Sequence, residues 1–261
     1  MTAPAEEAAA AIRSLGASGP IENALILGSA FYGISEIGDR VAAIPYARLP
    51  GFPVCEGVED GELIVSLVDG APTAILKGCT TFYETGDPSL MATPIETLSI
   101  LGAHSVLCAG LARSAHSHLP VSSIVAVTDH INFTGLNPLI GAAAGGKAMI
   151  DMSEAYDRRQ LRRMKMAAAA AGVSLLEGVF MWFSGPSFET PSEMKVARQF
   201  GADLVGWTIA PEAILARRYG LAYAAVAVLT EPPPACVGNG PPAAGVVAAK
   251  RLARAFLRMR G

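Results

Sequence analysis

The sequence predicts a single α/β domain, and three observations carry that expectation. Short apolar runs alternate with segments of helical spacing along the chain, the pattern of strands covered by helices. The chain has 261 residues, enough for one large core, and shows no internal repeat or low-complexity linker. Hydrophobic residues make up 51% and charged residues only 16%, so a large interior can be buried with few charges left for the surface. Such an apolar excess further predicts that part of the surface is covered by a partner subunit.

Taken in order, residues 1–20 carry Glu6-Glu7 and an alanine run to Leu15, which predict an amphipathic helix or a frayed segment ahead of a domain at 21–261. Ala24 to Leu27 reads as a buried strand. Gly28-Ser29-Ala30 follows at once, a small-residue loop whose backbone N–H groups and Ser29 hydroxyl can approach an anion, or simply turn the chain. Leu63 to Asp69, Gly70, then Thr73 to Lys77 reads as a hairpin with an Asp-Gly turn. A helix is expected from Pro94 to Leu101 before Gly102, a strand from Ser105 to Cys108 and another from Ile124 to Thr128. Asp157 to Ala171 predicts a helix with Arg and Lys outside, closed by Gly172, and the apolar run Gly178 to Phe183 a buried strand. A helix starts near Ser192, and Pro211 to Tyr219 forms another before Gly220. Leu221 to Leu229 is a buried strand, and Gly245 to Met259 is a closing helix that turns basic toward its C-terminus, as the macrodipole favours.

Composition also narrows the partners. Net charge is −3 with no basic run, which argues against nucleic acid. The longest apolar stretches are broken by Gly, Pro or charge well short of the roughly 20 residues that span a bilayer. The acidic, Ala-rich start lacks a basic region leading an apolar one, so no secretory signal is expected. Cys55, Cys79, Cys108 and Cys236 form no close pair and read as free thiols of a reducing, cytoplasmic compartment.

The stretch richest in chemistry is Ser184 to Pro191, between the apolar run ending at Phe183 and a helix. Ligands of α/β sheets bind in loops beyond the carboxyl ends of strands. Here such a loop offers one aromatic face, Phe188, and one carboxylate, Glu189. A flat nitrogen heterocycle such as a purine would stack on the first and aim its N–H donors at the second. The plainer alternative is a strand-to-helix turn in which Glu189 supports the positive end of the helix. His130 beside Asp129 reads either as an oriented general base or as a hydrogen-bonded structural histidine, with the structural reading favoured. His104, His116 and His118 are more consistent with solvated loop histidines than with a metal site.

Four segments resemble the trimeric purine nucleoside phosphorylases and their methylthioadenosine phosphorylase relatives, in order from about Leu25 to Thr230. These are Gly185-Pro-Ser-Phe-Glu-Thr190, Thr128-Asp-His-Ile-Asn-Phe-Thr-Gly-Leu-Asn-Pro-Leu-Ile-Gly141, Asp151-Met-Ser-Glu-Ala-Tyr-Asp157, and Gly201-Ala-Asp-Leu-Val-Gly206 with Pro211-Glu212 behind it. The resemblance implies a nucleoside phosphorylase-like fold, a mixed central sheet flanked by helices, assembled as a homotrimer. It implies cleavage of the N-glycosidic bond of a purine, or 5′-modified purine, nucleoside, with phosphate as co-substrate and neither cofactor nor metal. It places Phe188, Glu189 and Val205 around the base, Trp207 and Tyr83 toward the sugar, and Ser29, Thr81, Leu111 and Thr208 around phosphate.

Departures from the family pattern matter as much. In Gly78-Cys-Thr-Thr-Phe-Tyr-Glu84 the family's arginine position is Cys79 and its histidine position Thr81, while a second histidine position is Glu59. A charge-assisted hydrogen bond to an anion is worth roughly 1.5–3 kcal/mol. Losing two would cost ~3–6 kcal/mol, or about two to four powers of ten in phosphate affinity. Arg113, in the segment Ala109 to Ser114 that replaces a family loop beside phosphate and sugar, is a candidate to compensate. Ala142 to Gly146 shows no counterpart of the aromatic residue that a neighbouring subunit lends to the sugar. Glu231 stands where an asparagine or aspartate contacts the purine. Its catalytic use, beside Glu189, requires burial that keeps it protonated, or else acceptance from a 6-amino group. A nucleosidase in which Glu59 or Glu231 positions water, and a silent purine-binding homologue, are the alternatives.

Overall fold

Runs of apolar residues punctuated by glycine, proline and aspartate set both the strands and their order. The computed structural model describes residues 1–16, 19–54, 61–78, 82–116, 119–141, 149–232, 235 and 241–259, without the side chains at 29, 85, 88 and 89. The expectations at Cys55, Glu59, Cys79, Thr81, His118, residues 142–146 and Cys236, and for the Ser29 hydroxyl, lie outside what is described. Helix α1 (Ala3–Ser14) leads to β1 (Asn23–Leu27), a 3₁₀ turn Ser29–Ser35, and β2 (Asp39–Pro45). Next come β3 (Glu62–Val68), β4 (Ala71–Lys77), the short α2 (Phe82–Thr85) and α3 (Ala92–Ile100). β5 (Ser105–Ser114), β6 (Ile124–Asn132), α4 (Arg158–Ala171) and β7 (Leu175–Trp182) follow. The chain continues through α5 (Pro191–Gln199), β8 (Leu204–Gly206), α6 (Ala210–Arg218), β9 (Ala222–Leu229) and α7 (Ala243–Arg258).

Local chemistry explains the boundaries. Asp69 and Gly70 both take positive φ, 49° and 82°, as the turn of a two-residue hairpin requires, and β3 pairs antiparallel with β4 across them. Asp157 caps α4 by accepting from the N–H groups of Arg159 and Gln160, and Gly172 closes it in the left-handed region. Thr190 and Glu193 form a reciprocal capping box at the start of α5. That box fixes the end of the Ser184–Pro191 loop.

The strands form one mixed sheet in the order β2-β3-β4-β1-β5-β8-β7-β6-β9, with β5 also paired to β9. That extra pairing closes β5, β8, β7, β6 and β9 into a ring, from which β1, β4, β3 and β2 extend as a wing. Helices α1, α3 and α6 cover one face through Ile12, Leu98 and Leu215, and α4 and α7 cover the other through Met164, Leu252 and Phe256. A small third cluster, including Met181, Ala197 and Val205, packs α5 on the ring.

The open choice at the N-terminus resolves as a helix, and two other features depart from the sequence expectations. Helix α1 is not frayed: Ala5, Ala8, Ala9 and Ile12 are fully buried, and Thr2 donates from N and Oγ1 to the Glu96 carboxylate at 2.9 and 2.7 Å. Strand β5 does not stop at Cys108 but continues through the segment expected as a loop. It pairs with β9 as far as Ala112↔Leu229, then with β8 at Arg113↔Val205. Strand β2 is an added edge strand; of its residues only Ile44 is fully buried, so its sequence carries no alternation to read.

Candidate active site

Most of the sequence-predicted positions lie at or just beyond the end of a strand, and five side chains there, Tyr83, Arg113, Phe188, Glu189 and Trp207, meet. Ser29 follows β1, Tyr83 follows β4, Arg113 lies at the end of β5, Phe188 and Glu189 follow β7, Trp207 and Thr208 follow β8, and Glu231 follows β9. At the centre, Phe188 and Trp207 pack with ring centroids 4.9 Å apart, and Tyr83 meets Trp207 edge-on at 5.5 Å. Gly185 (φ 69°) makes this possible: a Cβ there would come within 3.0 Å of both the Trp207 and Tyr83 rings. Trp182, fully buried on β7, fixes the Trp207 backbone by donating from Nε1 to its carbonyl at 3.1 Å.

Glu189 is the buried charge of this cluster, its side chain only 2% exposed. Trp207 donates Nε1–H to Oε1 at 3.3 Å, and Arg113 donates from Nε at 3.1 Å and from Nη2 to Oε2. The Arg113 guanidinium also lies over the Phe188 ring, 4.5 Å from its centroid, and 5.2 Å from that of Trp207. Such cation–π contacts strengthen when water is excluded. Arg113 is therefore engaged by a carboxylate of the protein, not held ready for phosphate, the role expected of it. The switch of β5 from β9 to β8 turns it onto Glu189 instead. Sequence reasoning missed this pair, and the only available signal was one cation in an otherwise apolar strand.

The phosphate-side positions are arranged by backbone strain. Ile209 takes φ 75° and ψ −53°, and Ala210 N–H donates to the Thr208 carbonyl at 2.9 Å, a γ-turn unusual for a β-branched residue. Tyr223 holds it by donating its hydroxyl to the Ile209 carbonyl at 3.0 Å. Thr208 thus sits immediately before α6. Its Oγ1 lies 3.0 Å from where a Cβ on Gly110 would be, so only glycine admits it so close to β5. Leu111 is held in β5 opposite Val228, its side chain packed on the core shared with α4 and α7.

Three expected contributions take other forms. Val205 is fully buried beneath α5, which makes it a backing residue and not a contact surface. Glu231 is exposed, so the burial needed to keep it protonated is not present. Asp129 does not orient the His130 ring; its Oδ1 accepts from the His130 backbone N–H at 2.8 Å. The ring instead packs edge-on against Tyr156, its Nδ1 buried without a hydrogen-bond partner, and burial lowers its pKa. His116 pairs with Asp203 at 3.6 Å, and among the described residues no three metal-binding side chains converge.

Glu212 is another buried carboxyl, legible in the sequence only as part of the Pro211-Glu212 motif. It lines a small apolar cavity with Ile26, Tyr46, Leu76, Met91 and Ile95. Burial pushes its pKa up to about 7, against the opposing pull of the Glu212 and Ile209 backbone N–H groups. Neither oxygen makes a hydrogen bond of normal geometry, so we regard burial as the governing influence.

Comparison with known proteins places this arrangement. The profile of the phosphorylase superfamily matches residues 23–259. The chain is 33% identical over 201 residues to purine nucleoside phosphorylase 1 of Geobacillus stearothermophilus, covering 76% of this chain and 73% of that one. It is 30% identical over 227 residues to purine nucleoside phosphorylase 1 of Bacillus subtilis, covering 85% and 80%. Among solved structures, the Schistosoma mansoni purine nucleoside phosphorylase in complex with acetate superposes with a TM-score of 0.86 at 26% identity, covering 99% of this chain and 97% of that one. The S. mansoni enzyme in complex with adenosine gives 0.79 at 27% identity, covering 97% and 92%. A fold with the same mixed sheet, a matching profile along nearly the whole chain and relatives at this identity together lead to one assignment: the chain belongs to the purine nucleoside phosphorylase family of the phosphorylase superfamily.

Proposed function

We propose that this protein cleaves the N-glycosidic bond of purine nucleosides with phosphate as co-substrate, acting as a cytoplasmic homotrimer whose catalytic domain is residues 21–261. The observation that carries this reading is the cluster of Phe188, Glu189, Trp207 and Tyr83 beyond the strand ends, where a planar base and its sugar find an aromatic wall and a buried carboxylate. In the reaction the C1′–N9 bond breaks with its electron pair going to the base. A phosphate oxygen forms the new bond to C1′, and the base takes up a proton as it is released. Phe188 and Trp207 hold the base plane and Tyr83 faces the sugar. Ser29, Thr81, Thr208 and the backbone around Leu111 supply neutral donors to phosphate.

Glu231, exposed beside the base position, is assigned the role of accepting from a 6-amino group. Relatives named as phosphorylases favour this chemistry over a water-using nucleosidase or a silent homologue. The homotrimer is supported by the apolar composition and by the exposed Phe133 and Phe200, 67% and 53% accessible, whose rings pair at 5.3 Å on the surface. Incubation with inosine, adenosine or methylthioadenosine and inorganic phosphate is expected to yield free base and the sugar 1-phosphate in equal amounts. Free sugar as the product would contradict phosphorolysis.

A further inference from the structure

The carboxylate of the base subsite is already engaged from within the protein. A guanidinium is planar, stacks on aromatic faces and presents N–H donors in its plane. Arg113 brings such a group to the carboxylate assigned to the base: its Cζ lies over the Phe188 ring, and its Nε–H and Nη2–H donate to Glu189 Oε2. Trp207 takes the other carboxylate oxygen. With the Glu189 side chain 2% exposed and Oε2 taken twice by Arg113, that oxygen has no acceptor site to offer unless Arg113 leaves. Arg113 thus covers the Glu189 acceptor with a group that carries only donors.

This exchange changes which bases fit. A 6-oxopurine such as hypoxanthine carries a proton on N1 and needs an acceptor there. A 6-aminopurine such as adenine has an unprotonated N1, which a bare carboxylate repels and a guanidinium attracts. We propose that Arg113 is the specificity-determining residue of the base subsite, closing it to bases that bind through an N1–H donor and selecting those with an N1 acceptor, the 6-aminopurines. This inference rests on the base-subsite reading above. It concerns which purine is taken and is independent of whether phosphate or water attacks the sugar.

The test is calorimetric titration of hypoxanthine and adenine into the protein and into Arg113→Ala, with thermal unfolding to show that the variant is folded. Removing Arg113 bares the Glu189 acceptor. The preference for hypoxanthine over adenine should then rise by at least ~10-fold, the worth of one charge-assisted hydrogen bond. Should Arg113→Ala fail to fold, Arg113→Gln keeps a donor to Glu189 while removing the cation and the stacked plane, and a smaller rise in the same direction is expected. An unchanged or lowered preference in a folded variant, or loss of hypoxanthine binding, overturns the role of Arg113 and leaves the purine subsite standing. Absence of binding of either base to any of these proteins overturns the subsite reading and this inference together.

Discussion

Glu189 and Arg113 show how much one residue pair can set at this site. Each satisfies the other in a place where water is largely excluded, with side chains 2% and 11% exposed. Removing one partner of such a pair leaves a buried, uncompensated charge and costs about 3–5 kcal/mol, whereas removing both costs less than the two losses added. Urea denaturation of Glu189→Ala, Arg113→Ala and the double variant should therefore give losses that fall short of additivity by ~1–3 kcal/mol. Additive losses would mean that the two side chains act independently and that the subsite is not held closed by their contact. The pair joins residues 76 apart in sequence. The charges themselves were legible; their meeting was not, because it depends on where β5 exchanges β9 for β8.

At the scale of elements, α6 concentrates two costs that the fold tolerates. Its approach carries the Ile209 γ-turn, which stores strain of about 1–3 kcal/mol, and its first turn carries the buried Glu212. The folded-state pKa of Glu212 is raised from 4.5 to about 7 by burial. The folded state thus holds a proton that the unfolded state releases between those values, and stability present below pH 4.5 is lost as pH rises through 7. A shift of that size corresponds to ~3 kcal/mol. Relative to Glu212→Gln, which has no charge to bury, the native protein should lose about that amount between pH 4.5 and 8 in denaturant titrations. Parallel pH dependences for the two proteins would show that Glu212 is solvated or paired in solution.

Elements also explain which parts of the chain could be read in advance. The β3–β4 hairpin announces itself through Asp69-Gly70, and α4 through Asp157 and Gly172, because turn and cap chemistry is local. The Phe188–Glu189 loop was legible for the same reason, lying between a buried apolar run and a capping box. Strand β8, only three residues long, and the exposed edge strand β2 carry too little hydrophobic pattern to register. Burial of Val205 and exposure of Glu231 are properties of packing between distant segments, and a motif position alone does not determine them.

Over the whole molecule, the closed ring supplies the rigid rim and the loops at the strand ends supply the site. The apolar side chains left outside include the Phe133–Phe200 pair. If that pair lies in a subunit interface, light scattering at micromolar concentration should give three times the 27.0 kDa protomer mass. The combined change Phe133→Asp and Phe200→Asp should then shift the protein toward the monomer, and a native monomer would count against assembly as the route to a complete site.

Phosphorolysis is tested most directly by a phosphate titration of base release from inosine, adenosine and methylthioadenosine. Release should be negligible without phosphate and saturate as phosphate rises. If Cys79 and Thr81 stand, as the resemblance implies, where relatives have charge-assisted donors, half-saturation should require high phosphate concentrations. A rate of base release that is the same with and without phosphate would contradict the account.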